Sequence, residues 1–256
     1  MNDKPTQPKP LHVEEASLNA WPSLNTYLFD GWLARFANGY TKRANSITPL
    51  YPGMMDVDAK IDACEKLYRG QNLPPVFRLP AFVDENGVVD GRFAARGYNK
   101  IDTTSVQTLD LSFCFALPSE RAYILPSRSG MESWLGSFHQ LSGDNPHRAD
   151  AETHQQMLNN IIGEKCFMVL IVEDEVVACG LAVATDGYVG IFDAIVAEEH
   201  RRKGYGTELM ESLLDWAVNQ YASYAYLQVM VSNTPAINLY DKLKFTELYR
   251  YWYRTK

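Results

Sequence analysis

A short apolar run that breaks into a basic, glycine-bearing turn and then into a helix constrains this chain more than any other feature. Residues 191–197 read IFDAIVA, apolar throughout except Asp193. A run this short, bounded by charge, suits a strand buried on both faces. The turn Glu198-Glu199-His200 leads into Arg201-Arg202-Lys203-Gly204-Tyr205-Gly206. Residues 207–220 then carry Leu209, Met210, Leu213, Leu214 and Ala217 at helical spacing. The first amides of a helix have no intrahelical partner, and the helix dipole adds partial positive charge there. Glycines let the backbone curl with its N–H groups pointing inward. Strand, loop and helix in this order form an anion cradle suited to a pyrophosphate. Arg201, Arg202 and Lys203 add positive charge at its rim, in a chain whose net charge is −7.

The spacing is Arg-x-x-Gly-x-Gly, from Arg201 through Gly204 to Gly206. It has neither the Gly-x-x-x-x-Gly-Lys-Ser/Thr of an NTP-binding loop nor the Gly-x-Gly-x-x-Gly of a dinucleotide site. It resembles the coenzyme A loop of the GNAT acyltransferases. On this motif alone, a basic surface turn with a capping glycine stays open as the plainer account. A second motif follows at the family's distance. Residues 225–231 (AYLQVMV) read as a strand, and the next segment matches Asn-x-x-Ala-x-x-Leu-Tyr-x-Lys-x-Gly-Phe at Asn233, Ala236, Leu239, Tyr240, Lys242 and Phe245. It departs at Lys244, where the family has a glycine suited to a helix C-cap.

The resemblance implies an α+β fold, the GNAT acyl-CoA acyltransferase fold, with a mixed, mostly antiparallel sheet flanked by helices. It implies acetyl-CoA as co-substrate, no metal, and two strands that part so that the pantetheine arm pairs with an exposed edge. By the same resemblance the backbone of Ala194, Ile195 and Val196 holds the arm. The amides of Arg201, Arg202, Lys203, Gly204, Tyr205, Gly206 and Thr207 hold the pyrophosphate. Asn233 contacts the coenzyme, with a plain helix N-cap as the competing account. An N–H near Ala194 serves as oxyanion donor. Tyr240 matches the tyrosine that protonates the departing thiolate, and a phenol, ordinarily near 10, is a sensible acid for a thiol near 8.5. The base is Asp193, since a carboxylate inside a strand is costly unless used or paired. A purely structural hydrogen bond for Asp193, Glu198 or Glu199 as the base, and a water chain are the alternatives.

Composition sets limits on the rest. A chain of 256 residues, 46% hydrophobic, can build one large domain or two ordinary ones. Its acidic balance argues against a nucleic-acid surface. No apolar run approaches the ~20 residues of a membrane span. The first residues, MNDKPTQPKP, lack a secretory core segment and read as a disordered tail over 1–15. Cys64, Cys114, Cys166 and Cys179 have no paired spacing, which fits buried free thiols in a cytoplasmic protein; a catalytic Cys179 is a minor alternative. The five histidines show no metal-ligand spacing.

Two halves follow, joined near residues 117–129, where Pro118, Pro126, Ser127 and Ser129 cluster. Residues 126–256 match the order of the GNAT fold, with helices over 131–141 and 151–162, a turn at residues 143–146, and a strand pair turning at Asp174-Glu175. Residues 16–125 read as a degenerate copy: a hairpin at Asp30-Gly31, a strand over 40–50, a helix over 56–68, a strand over 76–79, and a last strand over 106–115. Phe93 to Tyr98 echoes Tyr240 to Phe245. The copy has no basic loop after its strand, only Tyr51-Pro52-Gly53-Met54-Met55, so it should not bind coenzyme A. Its residues 39–46 and 73–79 resemble the first half of bacterial two-domain GNAT proteins. Arg43 and Asn45 either touch substrate across the join or serve solvent and sheet edge. Trp21, Trp32, Tyr27 and Phe29 read as core.

The expected activity is acetyl-CoA-dependent acetylation of a primary amine on a small molecule or peptide. Partners are that acceptor alone, without nucleic acid or membrane, on a monomer or homodimer. A non-catalytic acyl-CoA sensor or interaction module is the alternative.

Overall fold

The structure is a computed structural model that describes residues 7–84, 86–114, 116–126, 129–143 and 150–256. The first half contributes α1 (Pro10–Ala20), β1 (Asn25–Phe29), β2 (Trp32–Phe36), β3 (Ile47–Pro49), α2 (Val57–Gly70), β4 (Phe77–Pro80), α3 (Val88–Ala95) and β5 (Asn99–Asp110). The second contributes β6 (Ala122–Leu125), α4 (Met131–Ser142), α5 (Ala151–Asn159), β7 (Glu164–Val172), β8 (Glu175–Thr185), β9 (Tyr188–Val196), α6 (Tyr205–Asn219), β10 (Tyr224–Met230), α7 (Thr234–Lys242) and β11 (Thr246–Thr255).

The eleven strands among the described residues join one sheet in the order β1-β2-β3-β4-β11-β5-β10-β9-β8-β7-β6. Only β3–β4 and β9–β10 run parallel. The order is symmetric about the β11–β5 pair. On either side stand β4 and β10, then β3 and β9, then β2 and β8. Helices α2 and α6 fill the parallel crossovers, and α3 and α7 precede the two last strands. Each last strand pairs inside the other half: β5 lies against β10, and β11 against β4. The tandem copies therefore share a sheet by exchanging their final strands. Ala122–Leu125, placed by the sequence at the end of the first half, pairs with β7.

The echo between Phe93–Tyr98 and Tyr240–Phe245 is one turn built twice. The Tyr98 amide donates to Phe93 O and the Phe245 amide to Tyr240 O, both at 3.0 Å. Gly97 and Lys244 sit in the left-handed region at φ 78° and 69°. These are the bonds and the conformation of a helix C-terminal turn. Lys244 keeps the family's geometry without the family's glycine.

Several sequence expectations fail in the first half, among them the bounds of its last strand, which runs over 99–110 and not 106–115. Residues 10–15 belong to α1, not to a disordered tail. Pro10 starts the helix, where its missing N–H costs nothing, and Val13, Ala16 and Ala20 are buried against the second half. Residues 1–6 lie outside the described residues. Residues 40–46 are loop, not strand. The buried Asn45 side chain accepts from the amides of Ala37 and Gly39 and donates to the carbonyls of Ala37, Tyr40 and Thr41. It thereby replaces a strand's ladder bonds with a local knot. Tyr27 is half exposed on an edge strand, whereas Trp21 and Trp32 are core. The turn expected at residues 143–146 falls mostly outside the described residues.

The core has three parts. One face of the second half packs α1, α4 and α5 against β7 to β11, around Trp21, Trp134, Phe138, Phe192, Tyr226 and Tyr251. The other face packs α6 and α7 around Leu209, Leu213 and Leu227. A third cluster, with Phe77 and Phe93, serves the first half. No described helix is long and apolar enough to cross a membrane.

Candidate active site

β9 and β10 are in register only from Tyr188–Tyr224 to Ile191–Leu227. Beyond that point β9 continues to Val196 beside β8, and β10 continues to Met230 beside β5. Between them two strand edges face each other without pairing, so the sheet opens into a cleft. The cause lies in β9. Its register against β8 shifts between Cys179 and Leu181, so that three residues of β9 span two of β8. Asp193 sits in this bulge with φ 47°, a conformation Asp tolerates better than most side chains. Adjacent strand residues normally alternate faces. The bulge breaks that rule and turns both Phe192 and Asp193 toward α1 and α5: Phe192 stacks on Trp21 at 5.4 Å, and Asp193 Oδ2 stands 3.1 Å from His154 Nε2.

The basic loop lies at the open end of the cleft. Gly204 N-caps α6 with φ 94°, and Arg202 is left-handed at φ 63°. No hydrogen bond is made by the amides of residues 202–206 among the described residues. The Thr207 amide is different, closing back on Gly204 O at 2.9 Å. Arg201 Nε donates to Val196 O at 3.3 Å, fastening the loop to the strand end. Arg201, Arg202 and Lys203 are exposed. Gly206 marks the convergence: a Cβ built there would lie 3.3 Å from Leu239 Cδ2 and 3.8 Å from Val196 Cγ2. Strand end, cradle and the α7 residue before Tyr240 therefore meet. The Tyr205 ring lies 6.0 Å from the His200 ring.

Ala194 is exposed at the free edge, with Ile195 and Val196 half-buried beside it. Tyr240 is half-buried on the α6 side, and burial pushes its phenol above the ordinary value. Asn233 caps α7, its Oδ1 accepting from the Ala236 amide at 3.3 Å. Asp193 lies on the opposite face of the sheet from Tyr240, so the cleft separates them as two walls. Glu198 and Glu199 are exposed, away from the bulge.

Around Asp193 the structure assembles His154, which the sequence did not single out, and Arg43, which the sequence left open between substrate contact and solvent. His154 is fully buried, with Tyr40 stacked at 5.1 Å and Trp21, Phe138 and Trp134 around it. Its sequence signal was faint: His154 shares an apolar face with Met157, Leu158 and Ile161. From the first half, Arg43 faces the phenols of Tyr251 and Tyr253 and the charge of Asp193. Burial would push the Tyr251 phenol up, but Arg43 and Arg78 outweigh it and hold it below its ordinary value. Tyr251 in turn donates to Gln228 Oε1 at 2.9 Å, and Gln228 is the first β10 residue beyond its pairing with β9.

The first half's equivalent of the cradle is plugged from within. The amides of Met54 and Met55 donate to the Asp30 carboxylate at 2.9 Å each, and Lys60 Nζ stands 2.7 Å from it. Asp56 caps the first amides of α2. The amides of Met54, Met55, Asp58 and Ala59 and the Lys60 ammonium already hold carboxylates of the chain.

A cavity of about 820 Å³ lies elsewhere, along β5, α6 and the start of β11 between Thr108, Glu211 and Thr246.

A family model described as the C-terminal region of the probable histone acetyltransferase Rv0428c matches residues 11–254. The uncharacterized N-acetyltransferase YobR of Bacillus subtilis is 30% identical over 249 residues, 95% of this chain and 97% of that one. An N-alpha-acetyltransferase of Saccharolobus solfataricus is 50% identical over 54 residues, 21% of this chain and 32% of its own. Among solved structures, a GCN5-related N-acetyltransferase from Kribbella flavida superposes with a TM-score of 0.71 at 12% identity, covering 96% and 95% of the two chains. A tandem GNAT protein from the clavulanic acid biosynthesis pathway gives 0.60 at 15% identity over 78% and 69%. With bulge, cleft and cradle in place, the chain belongs to the family of the Rv0428c acetyltransferase C-terminal region, within the GNAT superfamily of N-acetyltransferases.

Proposed function

We propose that the second half acetylates a primary amine, using acetyl-CoA, by direct attack in a ternary complex. One observation carries this reading: β9 and β10 part after Ile191–Leu227, and the unclaimed amides of residues 202–206 stand at the mouth of the gap. The residues present fit the coenzyme. Amides at a helix N-terminus suit a diphosphate, and an unpaired strand edge at Ala194 to Val196 suits an extended amide-bearing arm. When bound, acetyl-CoA supplies an activated acyl group.

The chain's own residues supply the rest. An N–H at the bulge, near Ala194, donates toward the acyl oxygen. The Asp193 carboxylate, partly open to the cleft, accepts the proton of the incoming amine. Tyr240 keeps its proton at Oη because burial disfavours the phenolate, and so acts as the acid on the thiol side. No cysteine is poised as a nucleophile. Burial pushes the thiols of Cys64 and Cys166 up to about 12 and raises that of Cys114, and Cys179 is enclosed in β8. The first half binds no coenzyme, because Asp30 fills its cradle.

Thiol release from acetyl-CoA that depends on an added amine tests the proposal. The description of the matching family names histone, so a lysine-bearing peptide joins the small amines in the screen. A covalent acetyl-enzyme trapped without acceptor refutes direct attack.

A further inference from the structure

Apart from Arg43, the buried cations among the described residues are matched. Arg78 pairs with Glu14, Arg254 with Asp90 at 2.6 Å, Lys60 with Asp30, and Arg35 donates to the carbonyls of Leu18, Trp21 and Arg43. Arg43 differs. It is half-buried, its side chain meets the Tyr251 phenol rather than a carboxylate, its buried Nε makes no hydrogen bond, and no carboxylate pairs with it among the described residues. Three further donors near it are buried and unsatisfied: Gln228 Nε2, Trp21 Nε1 and the Tyr226 hydroxyl. They belong to one place. Trp21 stacks on Phe192, and Phe192 meets Tyr226 edge-on at 6.1 Å. Arg43 reaches Gln228 through Tyr251. Leaving buried donors without partners is costly, and a guanidinium more so. Against this cluster stands one negative wall, Asp193, whose Oδ2 faces His154 Nε2 at 3.1 Å without closing a hydrogen bond.

We propose that Arg43 and Gln228 form a carboxylate subsite beside Asp193, so that the acceptor is a zwitterion of the amino-acid class. Its amine faces Asp193, and its carboxylate takes Arg43, supplied across the join by the first half, together with Gln228 of the second. Arg is the side chain best shaped for a carboxylate, through two parallel N–H bonds. The first half thus has a task although it binds no coenzyme: it carries the residue that reads the acceptor. This inference rests on the acetyl-transfer reading for the amine, but the subsite can be tested without turnover.

The experiment compares the twenty amino acids with their α-amides and with a lysine peptide, in wild type, Arg43→Gln and Arg43→Lys. Amine-dependent thiol release and quenching of tryptophan fluorescence are both read, and coenzyme titration confirms that each variant is folded. The expected result is a preference for one or a few amino acids over their amides of about 10- to 100-fold in kcat/KM. Arg43→Gln collapses that ratio, and Arg43→Lys restores part of it. Turnover of amides or the lysine peptide with equal efficiency, unaltered in ratio by Arg43→Gln, overturns the subsite and leaves acetyl transfer standing. Arg43-dependent binding of an amino acid without turnover upholds the subsite and refutes acetyl transfer to it. Neither binding nor turnover of any amino acid overturns the subsite.

Discussion

Gly97 and Lys244 hold the same left-handed turn at the same place in the two repeats, at φ 78° and 69°. One residue is free to adopt it and the other is not. A Cβ in this region costs about 1–2 kcal/mol, while glycine loses more freedom on folding, by about 0.5–1 kcal/mol. Lys244→Gly should therefore stabilise the protein by about 0.5–1 kcal/mol. Gly97→Lys should destabilise it by a similar amount, since nothing lies within 4 Å of a Cβ at that site. Urea unfolding of both variants checks the opposed signs. Equal signs would mean that the turns are not equivalent.

The plug of the first cradle should show in the acid limb of stability. The Asp30 carboxyl is held at about 2, below its ordinary 3.8, by Lys60 first and then by the amides of Met54 and Met55. A carboxyl depressed in the folded state binds its proton more readily when unfolded. Its stabilisation is present above about pH 4 and is lost as pH falls from 4 to 2. Asp30→Asn should flatten that part of the curve of urea midpoint against pH. Some slope should remain, because Glu65 and Asp90 are also held low.

How far the sequence could be read follows from how local each signal is. The strand–loop–helix at residues 191–206, the Asn233 cap and the hairpin at Asp30-Gly31 are set by neighbours in the chain, and each is where it was expected. Helix α1 was hidden because Pro- and Lys-rich composition masked the spacing of Val13, Ala16 and Ala20. Its buried Glu14 makes sense only beside Arg78, 64 residues on. The exchange of β5 and β11 depends on pairings between remote strands, which no local pattern encodes. The meeting of Asp193, His154 and Arg43 has the same origin: three elements from two halves converge at a bulge.

Gly204 tests the cradle through its backbone. A Cβ at Gly204 would meet nothing within 4 Å in the chain. The cost lies in φ 94°, which other residues resist. Gly204→Val should shift the loop out of its amide-inward form and weaken acetyl-CoA binding roughly tenfold, the strain of ~1–2 kcal/mol converted to affinity. Calorimetric titration measures it. An unchanged dissociation constant would remove the diphosphate from this loop.

Asp193 and Tyr240 stand on opposite walls of the cleft, so their variants should fail differently. Asp193→Asn keeps a side chain that tolerates φ 47°, so stability should hold while kcat/KM falls about 100-fold, the worth of a general base. Tyr240→Phe keeps the ring that packs against Phe245 at 6.0 Å and loses only the proton. Its kcat should also fall about 100-fold with acetyl-CoA affinity unchanged. A thioester whose leaving thiol is more acidic needs less help from an acid, so it should recover much of the Tyr240→Phe loss and none of the Asp193→Asn loss. Equal recovery in both variants would place the two residues in the same step and undo the division of labour between the walls.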